Sequence, residues 1–467
     1  MKKLIYLLFV SAIAFTGCRK IVVDNNGTVV VTDPGTEPVG KTITLSGKIT
    51  TDTTLKAINT YVLDGLVYVK NGATVTIEPG TLIKGSYRDP IGGLVITKGA
   101  KLIAKGTADK PIVFTSNSPS PRSGDWAGIV MLGKASTNSS FNGTAGQGSV
   151  EGGINNADGD GLYGGTEDND NSGALSYIRI EYAGFAFLPD NEINSLTLAG
   201  VGRGTQIDHI FISYAKDDAI EWFGGTVDCK YLITYKTQDD DFDTDNGYSG
   251  RVQFGLIIRD SLIADISKSE AFESDNDANG STLTPKTSAI FCNVTALGPL
   301  ATLDNKGSDL YLAGAQIRRN SSISIYNSAI IGWPVGLLID AGKGRPTDLN
   351  IQDSTLRVRN TIIAGCRTPV NYVASANSPT GATVASINSW FTGSTGNAIL
   401  AGVSDAKLVN PFNASSFDPT PFGSSPLASG ASFEDPKLKE FFTPVTFRGA
   451  IPPGGADANW WKGWTKL

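Results

Sequence analysis

One acidic pattern recurs three times between residues 216 and 277, and it constrains the fold more than any other feature. The copies read Lys216-Asp217-Asp218-Ala219-Ile220-Glu221-Trp222-Phe223-Gly224-Gly225, then Gln238-Asp239-Asp240-Asp241-Phe242-Asp243-Thr244-Asp245, then Lys268-Ser269-Glu270-Ala271-Phe272-Glu273-Ser274-Asp275. An apolar run precedes each: Ile210-Phe211-Ile212, Tyr231-Leu232-Ile233 and Leu262-Ile263-Ala264. Short β-rich runs recurring at this spacing without a helical period predict a solenoid whose coils stack. Stacked neighbours sit about 4.8 Å apart. Asp218, Asp240 and Glu270 then form one column, and Glu221, Asp243 and Glu273 another. Like charges at that distance repel by about 1 kcal/mol in water and about 3.5 kcal/mol at an effective dielectric of 20. Such columns require wide solvation, neighbouring cations, raised pKa values or a bound metal. The repeat therefore leaves two readings open. One is a solvated acidic edge tempered by Lys216, Lys236 and Lys268. The other is a cation site drawn from Asp217, Asp218, Glu221, Asp239, Asp240, Asp243, Asp245, Glu270 and Glu273, with Ca2+ the expected ion.

The same rhythm extends over most of the 467 residues. Gly65-Leu66-Val67-Tyr68-Val69 is matched by Gly93-Leu94-Val95-Ile96, and Ile323-Ser324-Ile325-Tyr326-Asn327 by Leu356-Arg357-Val358-Arg359-Asn360. Alternating apolar residues flanked by Gly turns make these strands. About 13 coils fit between residues 43 and 405 at this spacing. The fold class is all-β, a parallel β-helix over 41–405 with a long loop insertion at 117–173. Within the insertion, Gly124-Asp125-Trp126-Ala127-Gly128-Ile129-Val130 predicts a strand. Asp158-x-Asp160 and Glu167-Asp168-Asn169-Asp170 fall short of a calcium-loop motif. Residues 406–467 are irregular and end in Trp460-Trp461-Lys462-Gly463-Trp464, as expected of a C-terminal cap on the last coil.

The N-terminus predicts export. Lys2 and Lys3 precede an apolar run, Leu4 to Phe15, too short to span a bilayer. Phe15-Thr16-Gly17-Cys18 resembles a bacterial lipobox, which implies a lipoprotein signal peptide at 1–17 and lipidation of Cys18. Residues 18–40, with Asn25-Asn26-Gly27 and Asp33-Pro34-Gly35, read as a flexible tether from the membrane. Cys229, Cys292 and Cys366 lack metal spacing and read as buried, unpaired thiols. A net charge of −6 argues against a nucleic-acid partner.

Gln206-Ile207-Asp208-His209-Ile210 followed by Asp217-Asp218-Ala219-Ile220-Glu221-Trp222-Phe223-Gly224-Gly225 resembles the pectate-lyase-like, right-handed parallel β-helix. That resemblance implies that Asp217 and Glu221 help hold calcium, which in the family binds an acidic sugar polymer. The lyases' Arg-x-Pro-x-x-Arg motif does not occur; Arg367-Thr368-Pro369 comes nearest, with Tyr372 at the second Arg position. The Gly-His-Gly and Arg-Ile-Lys motifs of polygalacturonases are also missing, and His209 is the only histidine. It reads as a hydrogen-bonded strand residue.

The lipobox, Gly124-Asp125-Trp126-Ala127-Gly128, the acidic stretch and the Phe447-Arg448-Gly449-Ala450 and Trp-rich end together resemble β-helix surface lipoproteins of Bacteroidota. This implies an outer-membrane location, at the cell surface or, since Arg19-Lys20-Ile21 and not an acidic export tag follows Cys18, on the periplasmic face. A polysaccharide or an outer-membrane protein is the expected partner. Three functions follow. The first is non-catalytic binding, with calcium on the acidic columns and Trp222, Tyr235, Tyr248 and Arg251 contacting the ligand. The second is a polysaccharide lyase or glycoside hydrolase using the stacked carboxylates. The third is a structural adhesin or membrane-assembly subunit.

Overall fold

In a computed structural model the chain divides into two compact units, Met1–Lys41 and Thr42–Leu467. Residues 20–23, 29–32, 40–188, 191–300 and 307–467 are described. The apolar leader and Cys18 lie outside the described residues. Within the segment expected to be a tether, Lys20–Val23 pairs antiparallel with Val29–Thr32.

The second unit is a right-handed parallel β-helix. One face is an 11-stranded sheet running from Lys48–Ile49 to Thr368–Val373, every neighbouring pair parallel. Those eleven levels are fewer than the coil count expected from length, because most of the insertion and the loop at 259–269 lengthen the chain without adding levels. A 17-stranded sheet supplies the other two faces. In the middle coils those two faces fuse into single long strands: Gly173–Glu181, Gln206–Ser213, Cys229–Tyr235, Arg251–Ile258 and Ile290–Leu297.

Each long strand bends at one residue with positive φ: Tyr177 (51°), His209 (50°), Tyr231 (58°), Phe254 (65°) and Asn293 (57°). The bend shifts the side-chain alternation by one. Leu175 and Ile178, three apart, therefore both point into the core, as do Ile207 and Ile210. The bend residues stack, with Tyr177, His209, Tyr231 and Phe254 at successive centroid separations of 4.2, 4.5 and 5.0 Å. His209 Nδ1 is also 2.8 Å from Asp208 Oδ1, which agrees with a hydrogen-bonded strand residue.

Two expectations need correction. Leu262-Ile263-Ala264 is not a strand. The third acidic copy is preceded by Arg251–Ile258, and Leu262 is exposed in a loop. Residues 406–467 do not cap the last coil; they run back along the flank. There Leu408, Leu427, Ile451, Trp461 and Trp464 bury the outward-facing Phe211, Ile233, Leu256, Leu297 and Ile331. The last level is instead packed by the helix Val384–Gly393, whose Ile387 and Phe391 join the core. Thr383 and Ser386 form its capping box, fixing where it starts.

The insertion contributes the expected strand, Gly128–Leu132 of the 11-stranded sheet. Beyond it, two small hairpins fold over the same flank: Ser140–Phe141 with Thr144–Ala145, and Gly148–Ser149 with Leu162–Tyr163. Asp158 and Asp160 there form ion pairs with Lys48 (2.6 Å) and Lys70 (2.6 Å), a structural use of these carboxylates. Cys229, Cys292 and Cys366 are buried free thiols.

Candidate cation site and adjoining cleft

The acidic columns form as the register predicts. In the 11-stranded sheet Glu221 pairs with Asp243 and Asp243 with Glu273. The inner column is tied through its backbone: Asp240 N–H donates to Asp218 Oδ1 (2.9 Å), and Glu270 N–H donates to Asp240 Oδ1 (2.5 Å). Strict alternation would set Asp218 and Glu221 on opposite faces. Asp218 precedes the strand Ile220–Phe223, so a bend brings the two carboxylates together.

Three triads result: Asp217/Asp218/Asp239, Asp218/Glu221/Asp243 and Asp240/Glu270/Glu273, with the oxygens of each within 4.8 Å of one another. Oxygens bound to one calcium at about 2.3–2.6 Å lie no more than about 5 Å apart, so each triad fits the ion. The Oδ1 atoms of Asp239 and Asp243 are buried without a hydrogen-bond partner. The ladder ends in amides: Asn194, whose amide donates to Glu221, lies at one end, and Gln316, paired in register with Glu273, at the other.

Burial raises the carboxyl pKa values here, and neighbouring carboxylates add to it. Asp239 and Asp243 are pushed up to about 7. Asp217, Asp218, Glu221, Asp240 and Glu273 stand well above the ordinary range, and Glu270 is also raised. Among the described residues, positive charge pairs with the ladder at one end only. Arg318 pairs with Glu273 (2.6 Å) and Asp275 (2.9 Å), and Arg319 with Asp275 (2.6 Å). Arg259 is sealed inside, paired with the equally buried Asp241 at 3.0 Å. Lys216 and Lys236, expected to temper the edge, turn to Asp265 (3.9 Å) and Asp260 (3.2 Å) instead. Lys268 Nζ reaches the Asp309 carbonyl.

Asp245 belongs to no triad. It accepts from Asn246 N–H and lines a cleft of about 360 Å3 between the insertion hairpins and the turn at 276–285.

The four expected ligand contacts do not gather here. Trp222 and Tyr248 are fully buried and stacked on each other at 5.3 Å, so neither reaches a ligand. Trp222, two residues on from Ile220 in the same strand, shares its inward face, and Tyr248, in the turn after Asp245, is held inward by its hydrogen bond to the Val227 carbonyl. Tyr235 lies on another face, beside Lys236 and the C-terminal segment. Arg251 is held by Asp228 (2.6 Å) and packs over Phe441, also away from the ladder. Sequence reasoning missed Asn194, Asp275, Arg318 and Arg319. Extending the register one strand either way from the acidic repeat would have found Asn194, Arg318 and Arg319, while Asp275 already stood at the end of the third copy.

The fold and this face define an acidic-flanked parallel β-helix. A family model described as the pectate-lyase like beta helix domain matches residues 47–405, and the chain belongs to that family. Compared with curated proteins and with solved structures, the chain matches none.

Proposed function

We propose that this protein is a calcium-dependent, non-catalytic glycan-binding lipoprotein whose acidic ladder holds the ion. The observation that carries this reading is the set of three carboxylate triads within calcium reach, shared among consecutive coils. Eight carboxylates converge there with one guanidinium touching Glu273 at the edge. Divalent metal supplies the missing charge and gives anionic sugar groups something to bind. Among the described residues no arginine stands free beside the triads to act as a base: Arg318 is ion-paired and Arg259 is sealed within the core. Lipidation of Cys18 would hold the protein at the outer membrane, and loss of fatty-acid labelling in Cys18→Ser tests that placement.

Terbium luminescence and calcium competition on the full chain test the ion site. Asp218→Asn/Glu221→Gln is expected to weaken binding at least about 10-fold, since Asp218 serves two triads. Unchanged affinity would remove the site.

A second reading has one observation in its favour. Asp239 and Asp243, with pKa values near 7, have the protonation a glycosidase acid needs. Release of reducing ends from acidic or neutral polysaccharides, abolished by Asp239→Asn/Asp243→Asn, would replace binding with hydrolysis.

A further inference from the structure

The cleft beside the ladder has a chemistry of its own. Its walls are the insertion hairpins and the turn at 276–285, and its floor is the end of the strand Phe242–Asp245. Asn138 ties wall to floor: its N–H donates to the Asn246 carbonyl (3.0 Å), and its Nδ2 to the carbonyls of Asn276 (2.8 Å) and Pro285 (3.1 Å). Thr137 Oγ1 also donates to the Asn246 carbonyl (2.8 Å), and Ser139 Oγ meets Tyr163 OH at 3.0 Å. The cleft is therefore preformed, and its size falls within the roughly 300–1,000 Å3 of small-ligand sites.

Three carboxylates line it, Glu151, Asp245 and Asp277, and among the described residues no Lys, Arg or His does. Asn138 is only 6% exposed, yet its Oδ1 has no hydrogen-bond partner. Serine hydroxyls and the Phe141 ring complete the lining. Such a surface accepts hydrogen bonds far more than it donates them, and its field is negative. Carboxylate, sulfate or phosphate groups on a ligand are repelled. A protonated amine is drawn in, hydroxyls have acceptors, and the apolar face of a sugar ring has an aromatic partner.

We infer that this cleft binds a hexosamine unit with a free amino group, the ammonium facing Asp245, Asp277 and Glu151 and the hydroxyls facing Asn138 and the serines. This inference rests on the glycan-binding reading above and adds a cationic sugar unit beside the anionic groups that calcium on the ladder would hold.

Isothermal titration of the full chain with a glucosamine trimer and an N-acetylglucosamine trimer tests it. The acetylated trimer keeps the ring and the hydroxyls but has no charge. The glucosamine trimer is expected to bind at least 10-fold more tightly. Glu151→Gln, which leaves the hydrogen bonds of the turn at Asp277 intact, should lose that preference, and Phe141→Ala should weaken both trimers equally, which separates loss of charge from loss of the ring contact. Equal binding of the two trimers, or binding of neither, overturns the inference. Terbium titration of the same wild-type protein separates the two claims. If terbium binds and the sugars do not, only the cleft assignment falls; if terbium also fails, the calcium reading falls with it.

Discussion

Asp239 and Asp243 show how a single side chain decides what the ladder can do. Each is buried beside other carboxylates and holds its proton up to about pH 7, some three units above an ordinary aspartate. Between about pH 4 and 7 the folded, metal-free protein therefore binds more protons than the unfolded chain. The stability these two groups contribute falls as pH rises through that window. The melting temperature of the metal-free protein should drop by at least about 3 °C from pH 5 to pH 7.5. Calcium, which binds the ionised form, should cancel the drop, and Asp239→Asn/Asp243→Asn should remove most of it. A flat metal-free profile would mean that these carboxylates are solvated and the ladder needs no ion.

The bent strands decide which side chains face the core, and here the sequence was only partly legible. The columns could be read because the acidic repeat has a register that survives loops of different length: Glu221, Asp243 and Glu273 fell where the spacing put them. The bends could not be read. Tyr177, Tyr231 and Phe254 give no local sign of a left-handed backbone, whereas His209 and, in later coils, Asn293, Asn327 and Asn360 do. Trp222 and Tyr248 were misplaced for a related reason. An aromatic residue in a half-acidic strand looks like a sugar platform until its alternation is fixed, and the register then turns it inward.

The bend makes a measurable claim. At Tyr231 (φ 58°) a β-branched residue strains the backbone by about 1–3 kcal/mol and also forfeits the ring stack, whereas asparagine forfeits only the stack. Tyr231→Val should therefore lower the urea midpoint more than Tyr231→Asn. The reverse order would show that stacking, and not the backbone, sets the bend.

Across the whole molecule, the C-terminal segment explains why the central strands read as continuous apolar runs. A strand with one wet face alternates; a strand covered on both faces does not. Phe211, Ile233, Leu256, Leu297 and Ile331 point away from the helix interior yet are buried, because residues 406–467 lie over them. The position of the tryptophans after the last coil suggested an end cap instead. Trp464 shows where the segment ends up, with its edge on Tyr177 (5.5 Å) and His209 (5.9 Å), in coils hundreds of residues earlier in the chain. Closing the flank thus binds late sequence to early coils, and solenoid stability ceases to be a sum over neighbours alone. Trp464→Ala should cost about 3–5 kcal/mol, in line with the loss of a buried aromatic. Deleting 406–467 should expose an apolar strip several coils long, seen as dye binding and self-association at micromolar concentration. The deletion also separates the flank from the acidic face, which the segment does not cover. If the shortened chain stays monomeric, binds no dye and unfolds at the wild-type temperature, the flank is stable without its cover, and the cover is not what completes the fold.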